Sequence, residues 1–521
     1  MLVFSLLKQP HESKFSSMKK LTLILCIYCL LNPTEINAQK HDYLWLFGYS
    51  SNTIDSTFGG TNIDFNLSPP DIYYTWRDMD ICSYNASICD AEGNLLFYTN
   101  GCDIHGANQF LMSGGSGINP GETHDDWCNS YGGLPNSGDA VALPTSNENI
   151  YYLLHKDLLK FTYNEPPYQD VYPFNLYYSK IDISQNAVIE KNVIIWQDTL
   201  VSADLTAVKH ANNEDWWFFV HKRDTNLYYK FFLQADTILG PYHQSIGAPI
   251  YNTGSAGGQA VFSPDGTSYV YYDPDTDIMI HDFDRETGLL SNYRHISLVD
   301  SAFVLFGGVA ISPNSRFLYV SNLWDAYQFD LWANDIASSR VHIGHFDGFT
   351  DPLLPVNLYR MQLGPDCKIY MNSTNTVSYL SVIHYPDRKG LACDLELHGI
   401  ALPTRHRASI PPFPNYRLGT GEVCDSTISM TSGVFPVQVP IEVLEVMPNP
   451  SNDQVKVLLP YLVERGKLLL FDFNGRVMAE QNISLQDKLS LEVSHLPAGV
   501  YFGEVTVPGK GRYYFKVTVA H

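Results

Sequence analysis

Three groups of residues in this sequence have types and spacings that could do chemistry. Asp273, Asp275 and Asp277 form a DxDxD run, and carboxylates clustered at that spacing can hold Ca²⁺. Ile278 stands where a calcium loop wants Gly, and no Glu closes the loop. A polar hairpin between two strands therefore accounts better for the run. His124-Asp125-Asp126 could bind a metal ion, and a solvated turn accounts for it as well. The third group is aromatic, with 34 Tyr, 27 Phe and 8 Trp, and sugars stack on flat aromatic faces. Most of these rings, such as Tyr151-Tyr152 and Tyr271-Tyr272, sit in strand-like runs and read as core. Trp127, Tyr131 and Trp324 lie in or near loops and are the candidate ligand contacts. The HExxH, Walker A and GxSxG patterns are absent, so no catalytic residue, metal ligand set or cofactor is assigned.

Cysteine is the remaining reactive type. Cys26 and Cys29 form a CxxC inside the apolar run Leu21–Leu31, which follows Lys19 and Lys20 and precedes Ala38-Gln39. A positive flank, a short apolar core and a small-residue exit make a secretory signal peptide over 1–38, too short to anchor in a bilayer. Met18, directly before the lysines, is a second possible start. Four lysines and two glutamates leave with the peptide, so the net charge moves from −22 to −24. Such a surface repels nucleic acid and anionic lipid and suits a neutral or cationic partner. The exported chain keeps Cys82, Cys89, Cys102, Cys128, Cys367, Cys393 and Cys424 as disulfide candidates, an odd number without zinc spacing.

The elements that must position these residues are short strands. From about 42 to 420 there is no sustained helical period. Gln259–Leu290 reads as strand, Pro-Asp-Gly turn, strand, loop, strand and turn. Related stretches begin at Ala86, Ala140, Thr206, Gly308 and Met361, the later ones about fifty residues apart. A lone sheet of this kind cannot bury both faces, whereas radial stacking can. The runs NIYYLL (Asn149–Leu154) and WWFFV (Trp216–Val220), apolar on both faces, fit such a stack. The expectation is an all-β chain with a six- to seven-bladed β-propeller over 39–423; an array of β-sandwiches is the rival. The three-residue turn Ala91-Glu92-Gly93 pairs Asp90 with Asn94, and counting outward sets Cys82 opposite Cys102, a candidate disulfide. Cys367 with Cys393 is a second. Residues 105–139, rich in Gly, Asn and Ser, read as one long loop.

Residues 424–440 read as a linker. A small β-sandwich follows over 441–521, with strands at Val455–Leu459, Lys467–Phe473, Leu489–Val493, Val500–Val507 and Tyr513–Val519. Its motifs are Met447-Pro448-Asn449-Pro450, LLLFDFNGRVM (Leu468–Met478) with Gly475, and LPAGVYFGEV (Leu496–Val505) with Pro497, Gly499 and Tyr501. KVTV (Lys516–Val519) is the last of them. In the order and spacing of these blocks the unit resembles the type A C-terminal sorting domain of the type IX secretion system. That resemblance implies recognition by the secretion machinery and export across the outer membrane. It also implies cleavage of the tail, with the cargo tied to surface lipopolysaccharide or released. The family usually ends near a basic residue; here Ala520-His521 close the sequence, and Lys510, Arg512 and Lys516 partly serve. The body resembles propeller-type cargo found ahead of such tails, through WLFG (Trp45–Gly48), ASICDAEGNLLFYTNG (Ala86–Gly101), MQLGPDCKIY (Met361–Tyr370) and FPNYRLG (Phe413–Gly419). The functional expectation is a secreted or cell-surface protein whose propeller binds a glycan or protein. A propeller-fold polysaccharide lyase or hydrolase is the alternative.

Overall fold

In a computed structural model, the described residues are 39–53, 55–130, 132–162, 169–251, 257–298, 306–419, 423–425, 444, 446–472, 476–507 and 511–520. The proposed signal peptide and most of the proposed linker lie outside them. From Leu44 to His406 the main strands form seven antiparallel blades that follow one another along the chain, the second and third joined by one parallel bridge between Ser113 and Ala187; two short ladders, Leu159–Thr162 with Gln169–Tyr172 and Thr350–Asp351 with Leu354–Pro355, stand apart from them. Blade 1 has three strands, Leu44–Gly48, Gly60–Asp64 and Asp71–Thr75. Blades 2 to 7 have four each, and their innermost strands are Ala86–Cys89, Ala140–Pro144, Thr206–Lys209, Gln259–Phe262, Gly308–Ile311 and Met361–Leu363. Each innermost strand packs on the next, and blade 1 packs on both blade 2 and blade 7, so the ring closes as a seven-bladed β-propeller.

One turn, repeated, sets the blades. After the innermost strands of blades 2, 4, 5, 6 and 7 the chain reverses with Gly93, Asn213, Gly266, Ser315 and Cys367 in the left-handed region, at φ from 58° to 93°. An acidic or amide side chain staples most of these turns. Asp265 Oδ1 accepts from Ser263 Oγ, Thr267 N and Thr267 Oγ1 at 2.6–3.0 Å, and Asp90 Oδ1 accepts from Glu92 N and Asn94 N. Gly is the unstrained choice at the left-handed position. The second strands then run up between two neighbours and bury both faces, as Trp216–His221 does throughout.

The ring is shut by the far end of the body. Blade 1 lacks a first strand of its own: Leu44–Gly48 runs opposite to the innermost strands, with His41 O accepting from Cys89 N at one end and Gly48 O from Ile81 N at the other. Residues 408–417 descend where that first strand would lie. Asn85 Nδ2 donates to Leu46 O and to Ser409 Oγ, both at 2.9 Å, and Gln362 Nε2 donates to Phe413 O at 3.2 Å. Tyr416 OH donates to Ala142 O at 2.7 Å, and Arg417 Nη1 pairs with buried Asp42. Pro411, Pro412 and Pro414 have no N–H, so the segment fills the position by packing and side-chain bonds rather than by a ladder.

Two disulfides form, and neither is a pair expected from the sequence. Cys102 bonds Cys128, and Cys367 bonds Cys424. The hairpin does start with Asp90 N bonded to Asn94 O, but a bulge between Ile88 and Cys89 shifts the register, so Ala86 faces Thr99 rather than Tyr98. The strand then ends at Ala86, and Cys82 never comes opposite Cys102. Cys393 is buried among Tyr319, Ile343 and Ile369, away from Cys367 on its turn. Cys82, Cys89 and Cys393 are free, and burial pushes the Cys82 thiol up to about 12. Residues 105–139 are also not one loop. They hold the strand Leu111–Ser116 and the helix Glu122–Ser130, with Met112, Ile118 and Leu134 buried in the core of blades 2 and 3.

The C-terminal unit is one five-stranded sheet: Val446–Met447, Gln454–Phe471, Val477–Glu492, Gly499–Val507 and Gly511–Val519. Gln454–Phe471 spans two of the strands expected separately, and the register shift between Leu458 and Val463 marks where it breaks step. Both halves point into one core, in which Val455 and Val457 meet Leu468, Leu470, Val505 and Val517.

Burial also makes the propeller acid-labile. It holds His155 and His281 down at about 3 and His406 at about 4, against 6.5 when free. His155 is bonded to Ser179 Oγ at 2.9 Å, and His406 Nε2 donates to Tyr379 O at 3.1 Å. The unfolded chain takes up these protons before the folded chain does. Stability therefore begins to fall as pH drops through about 6.5, and the loss is complete only below the folded values. Near-UV circular dichroism is expected to collapse between about pH 5 and pH 3. A native spectrum persisting at pH 2.5 would contradict this.

Candidate functional site

At the centre of the ring, the inner strands of blades 4 to 7 and residues 410–417 line a partly open cavity of about 70 Å³. Gln259 ties three blades across it: Oε1 accepts from Val309 N and Met361 N at 3.1 and 3.2 Å, and Nε2 donates to Met361 O at 2.7 Å. Arg360, 2% exposed, lines the same space. Its Nε donates to Tyr359 OH at 3.1 Å, and its Nη2 has no hydrogen-bond partner among the described residues.

A second polar group lies where the inner strands of blades 3 and 4 begin. Lys156 Nζ, fully buried, is 2.7 Å from Asp139 Oδ1, contacts Asp204 Oδ1, and donates to Val201 O at 2.6 Å. Asp204 Oδ2 accepts from His221 N and Nδ1 at 2.7 and 2.6 Å, and His221 Nε2 meets Tyr269 OH at 3.2 Å. Burial opposes both charges, yet each ion overcomes it for the other. The two aspartates hold Lys156 above its ordinary value, and Lys156 with His221 holds Asp204 below its own. These bonds run from Asp139 and Lys156 of blade 3 to His221 of blade 4 and Tyr269 of blade 5, so the network ties three blades together.

The faces are where side chains remain available. On the face where the inner strands end, Trp332 is 65% exposed just beyond the third strand of blade 6, Asp325–Asp330. Arg316 lies 5.2 Å over its ring and is itself fixed by two bonds to Asp330, at 3.0 and 2.7 Å. Tyr385, 47% exposed, follows the third strand of blade 7, with Arg388 3.9 Å over its ring. Lys389, beside Arg388, reaches Asp330 at 3.8 Å, so the two aromatic positions share one charged anchor. Flat rings held rigid by stacked guanidinium groups can receive the apolar face of a sugar at little entropic cost.

The sequence candidates fall elsewhere. Trp127 is on the helix Glu122–Ser130 and packs on the core of blades 2 and 3. Tyr131 lies outside the described residues. The Trp324 ring is tilted against Phe346 at 5.4 Å in blade 6, whereas the helix of Trp127 lies between blades 2 and 3. Asp273 pairs with Asp277 across the tight turn between two strands of blade 5, as a polar hairpin would. His124 is helical, hydrogen-bonded to Asp125 and placed beside the Cys102–Cys128 bridge, rather than in a turn. Trp332 escaped notice because it directly follows strand-like QFDL; the Asn334-Asp335 turn after it was the available signal.

In the tail, Asn449 does the work of a strand edge. Its Nδ2 donates to Lys516 O and its Oδ1 accepts from Thr518 N, both at 2.8 Å, with Pro448 and Pro450 on either side. Tyr501 OH donates to Pro497 O at 2.8 Å, across the start of the strand that begins at Gly499. Gly475 lies outside the described residues.

Residues 445–519 match the model of the secretion system C-terminal sorting domain. The resemblance to the type IX sorting domain is thereby shown, and with it export by that route to the cell surface or the medium. No curated protein matches the chain. Among solved structures, a protein from Lactobacillus plantarum is similar at 13% identity and a TM-score of 0.40, covering 70% of this chain and 97% of its own. XC5397 from Xanthomonas campestris, described as a gluconolactonase, gives 11% identity and 0.28 over 64% and 93%. The Dos1 propeller gives 10% and 0.31 over 63% and 87%. At these scores none of the three bears on activity or ligand. No helix among the described residues is long and apolar enough to cross a membrane.

Proposed function

We propose that the propeller is a glycan-binding module carried to the outer surface by its sorting tail. The observation that carries this reading is exposed Trp332, held by Arg316 and Asp330, on the face it shares with Tyr385. The charge of the exported chain favours neutral glycans as the first panel. The test is a screen of the purified exported protein against polysaccharides, reading retention and product release together. Trp332→Ala is expected to weaken retention by about tenfold, the effect of truncating one well-placed aromatic. Tyr385→Ala is expected to act in the same direction. Retention unchanged in both variants would remove this face from the reading, and product release would replace binding with catalysis.

A further inference from the structure

We propose that Asp325, His342 and His345 form a binding site for a divalent transition-metal ion, with Zn²⁺ as the expected occupant. The three side chains come from the third and outermost strands of blade 6, Asp325–Asp330 and Val341–His345. His342 and His345 are three apart, a spacing that points to opposite faces of a regular strand. Here the register slips between Ala326 and Tyr327. Asp325 faces His345, Ala326 faces Gly344, and Tyr327 faces His342, leaving Ile343 as the extra residue. Ile343 turns into the core of blades 6 and 7, and both histidines turn out beside Asp325. His342 Nε2 and His345 Nδ1 each lie 2.8 Å from Asp325 Oδ1, and the three ligand atoms are all within 4.8 Å of one another.

The site is built rather than incidental. Asp325 is held by a tight turn, its N donating to Asn322 Oδ1 at 2.8 Å and its O accepting from Asn322 N at 3.0 Å. The rings of Tyr327 and His342 are 5.3 Å apart. Both histidine side chains are more than half exposed, so water can complete the coordination shell. Two imidazoles and one carboxylate suit Zn²⁺, Ni²⁺ or Cu²⁺, whereas Ca²⁺ wants six or more oxygens. The site stands at the opposite end of blade 6 from Trp332 and does not rest on the glycan reading.

The test is calorimetric titration of untagged, chelator-treated exported protein with Zn²⁺, and with Ca²⁺ for comparison. One equivalent of Zn²⁺ is expected to bind, with Ca²⁺ far weaker. His342→Ala and His345→Ala should each weaken Zn²⁺ binding by about tenfold or more, since each removes a ligand. His398→Ala, whose imidazole pairs with Asp347 instead, should leave it unchanged. In the unaltered protein, Zn²⁺ should shield His342 and His345 from diethylpyrocarbonate, read by peptide mass mapping. No binding by the unaltered protein, equal binding by the His342→Ala/His345→Ala double variant, or unshielded histidines would each overturn the assignment.

Discussion

A chain lacking residues 441–521 will fold its propeller and accumulate in the periplasm, with none delivered to the surface. The propeller owes its closure to residues up to Asp425. Residues 408–417 occupy blade 1, Cys424 is bonded to Cys367, and Asp425 N donates to Pro365 O at 2.7 Å. Among the described residues the tail has its own core, from Leu444 to Val519, and contributes none to the cores of the blades, although its Phe502 ring lies 6.2 Å from Trp76 of the body. Removing it therefore takes away the export signal and leaves the ring intact. Cell fractionation with protease shaving of whole cells reads the outcome, and near-UV circular dichroism of the periplasmic product reads its folding. Surface delivery of the shortened chain would defeat the assignment of the tail. An unfolded periplasmic product would show that the propeller depends on it.

The second large effect is expected at Lys156. Replacing it with Ala leaves Asp139 and Asp204 buried with no cation between them, at 1% and 0% side-chain exposure. Breaking a buried pair from one side costs about 3–5 kcal/mol, because the remaining charge stays desolvated. Asp204→Asn in the Lys156→Ala background should recover part of that loss by removing one of the stranded charges. Denaturant midpoints of the four chains read it as a double-mutant cycle. A loss under about 1 kcal/mol for Lys156→Ala would mean that the network holds little of the ring together. The sign against pH follows from the shifts. Asp204, held low, contributes above its unfolded value near 4 and loses that contribution in acid. Lys156, held high, contributes below about 10.5 and loses it in alkali. The pair is thus fully charged throughout the neutral range.

The propeller was legible because each blade repeats one local rule: a strand, a stapled left-handed turn, and a strand apolar on both faces. The turns at Gly93 and Gly266 announce themselves in the sequence. What stayed hidden were the features fixed by register and by distance along the chain. One bulge at Cys89 moves the hairpin by a residue and undoes the Cys82–Cys102 pairing. Another at Ile343 sets two histidines on one side that their spacing would set apart. The closing segment 408–417 gives no strand signal because three prolines erase it, and the strand it adjoins, Leu44–Gly48, lies over 350 residues earlier. FPNYRLG, noticed only as a family-like stretch, is the part of it that meets blade 3 and Asp42. Trp332 and Tyr385 were lost among aromatics that really are core, since composition cannot separate a buried ring from one just past a strand end.

The Cys367–Cys424 bridge has a mechanical consequence. Export is directed by the tail, so any pull on the folded cargo arrives along the chain from residue 444 toward Asp425. Without the bridge, that tension would reach residues 408–423 end-on and peel them out of blade 1, unzipping the closure one side-chain contact at a time. With it, the force leaves the main chain at Cys424 and crosses into the turn of blade 7, between Met361–Leu363 and Ile369–Met371, where it is shared by a four-stranded sheet. The closing segment hangs slack behind the bond. Rupture under load is governed by the unfolding rate rather than by equilibrium stability, so one covalent link in this position protects the ring against any such pull.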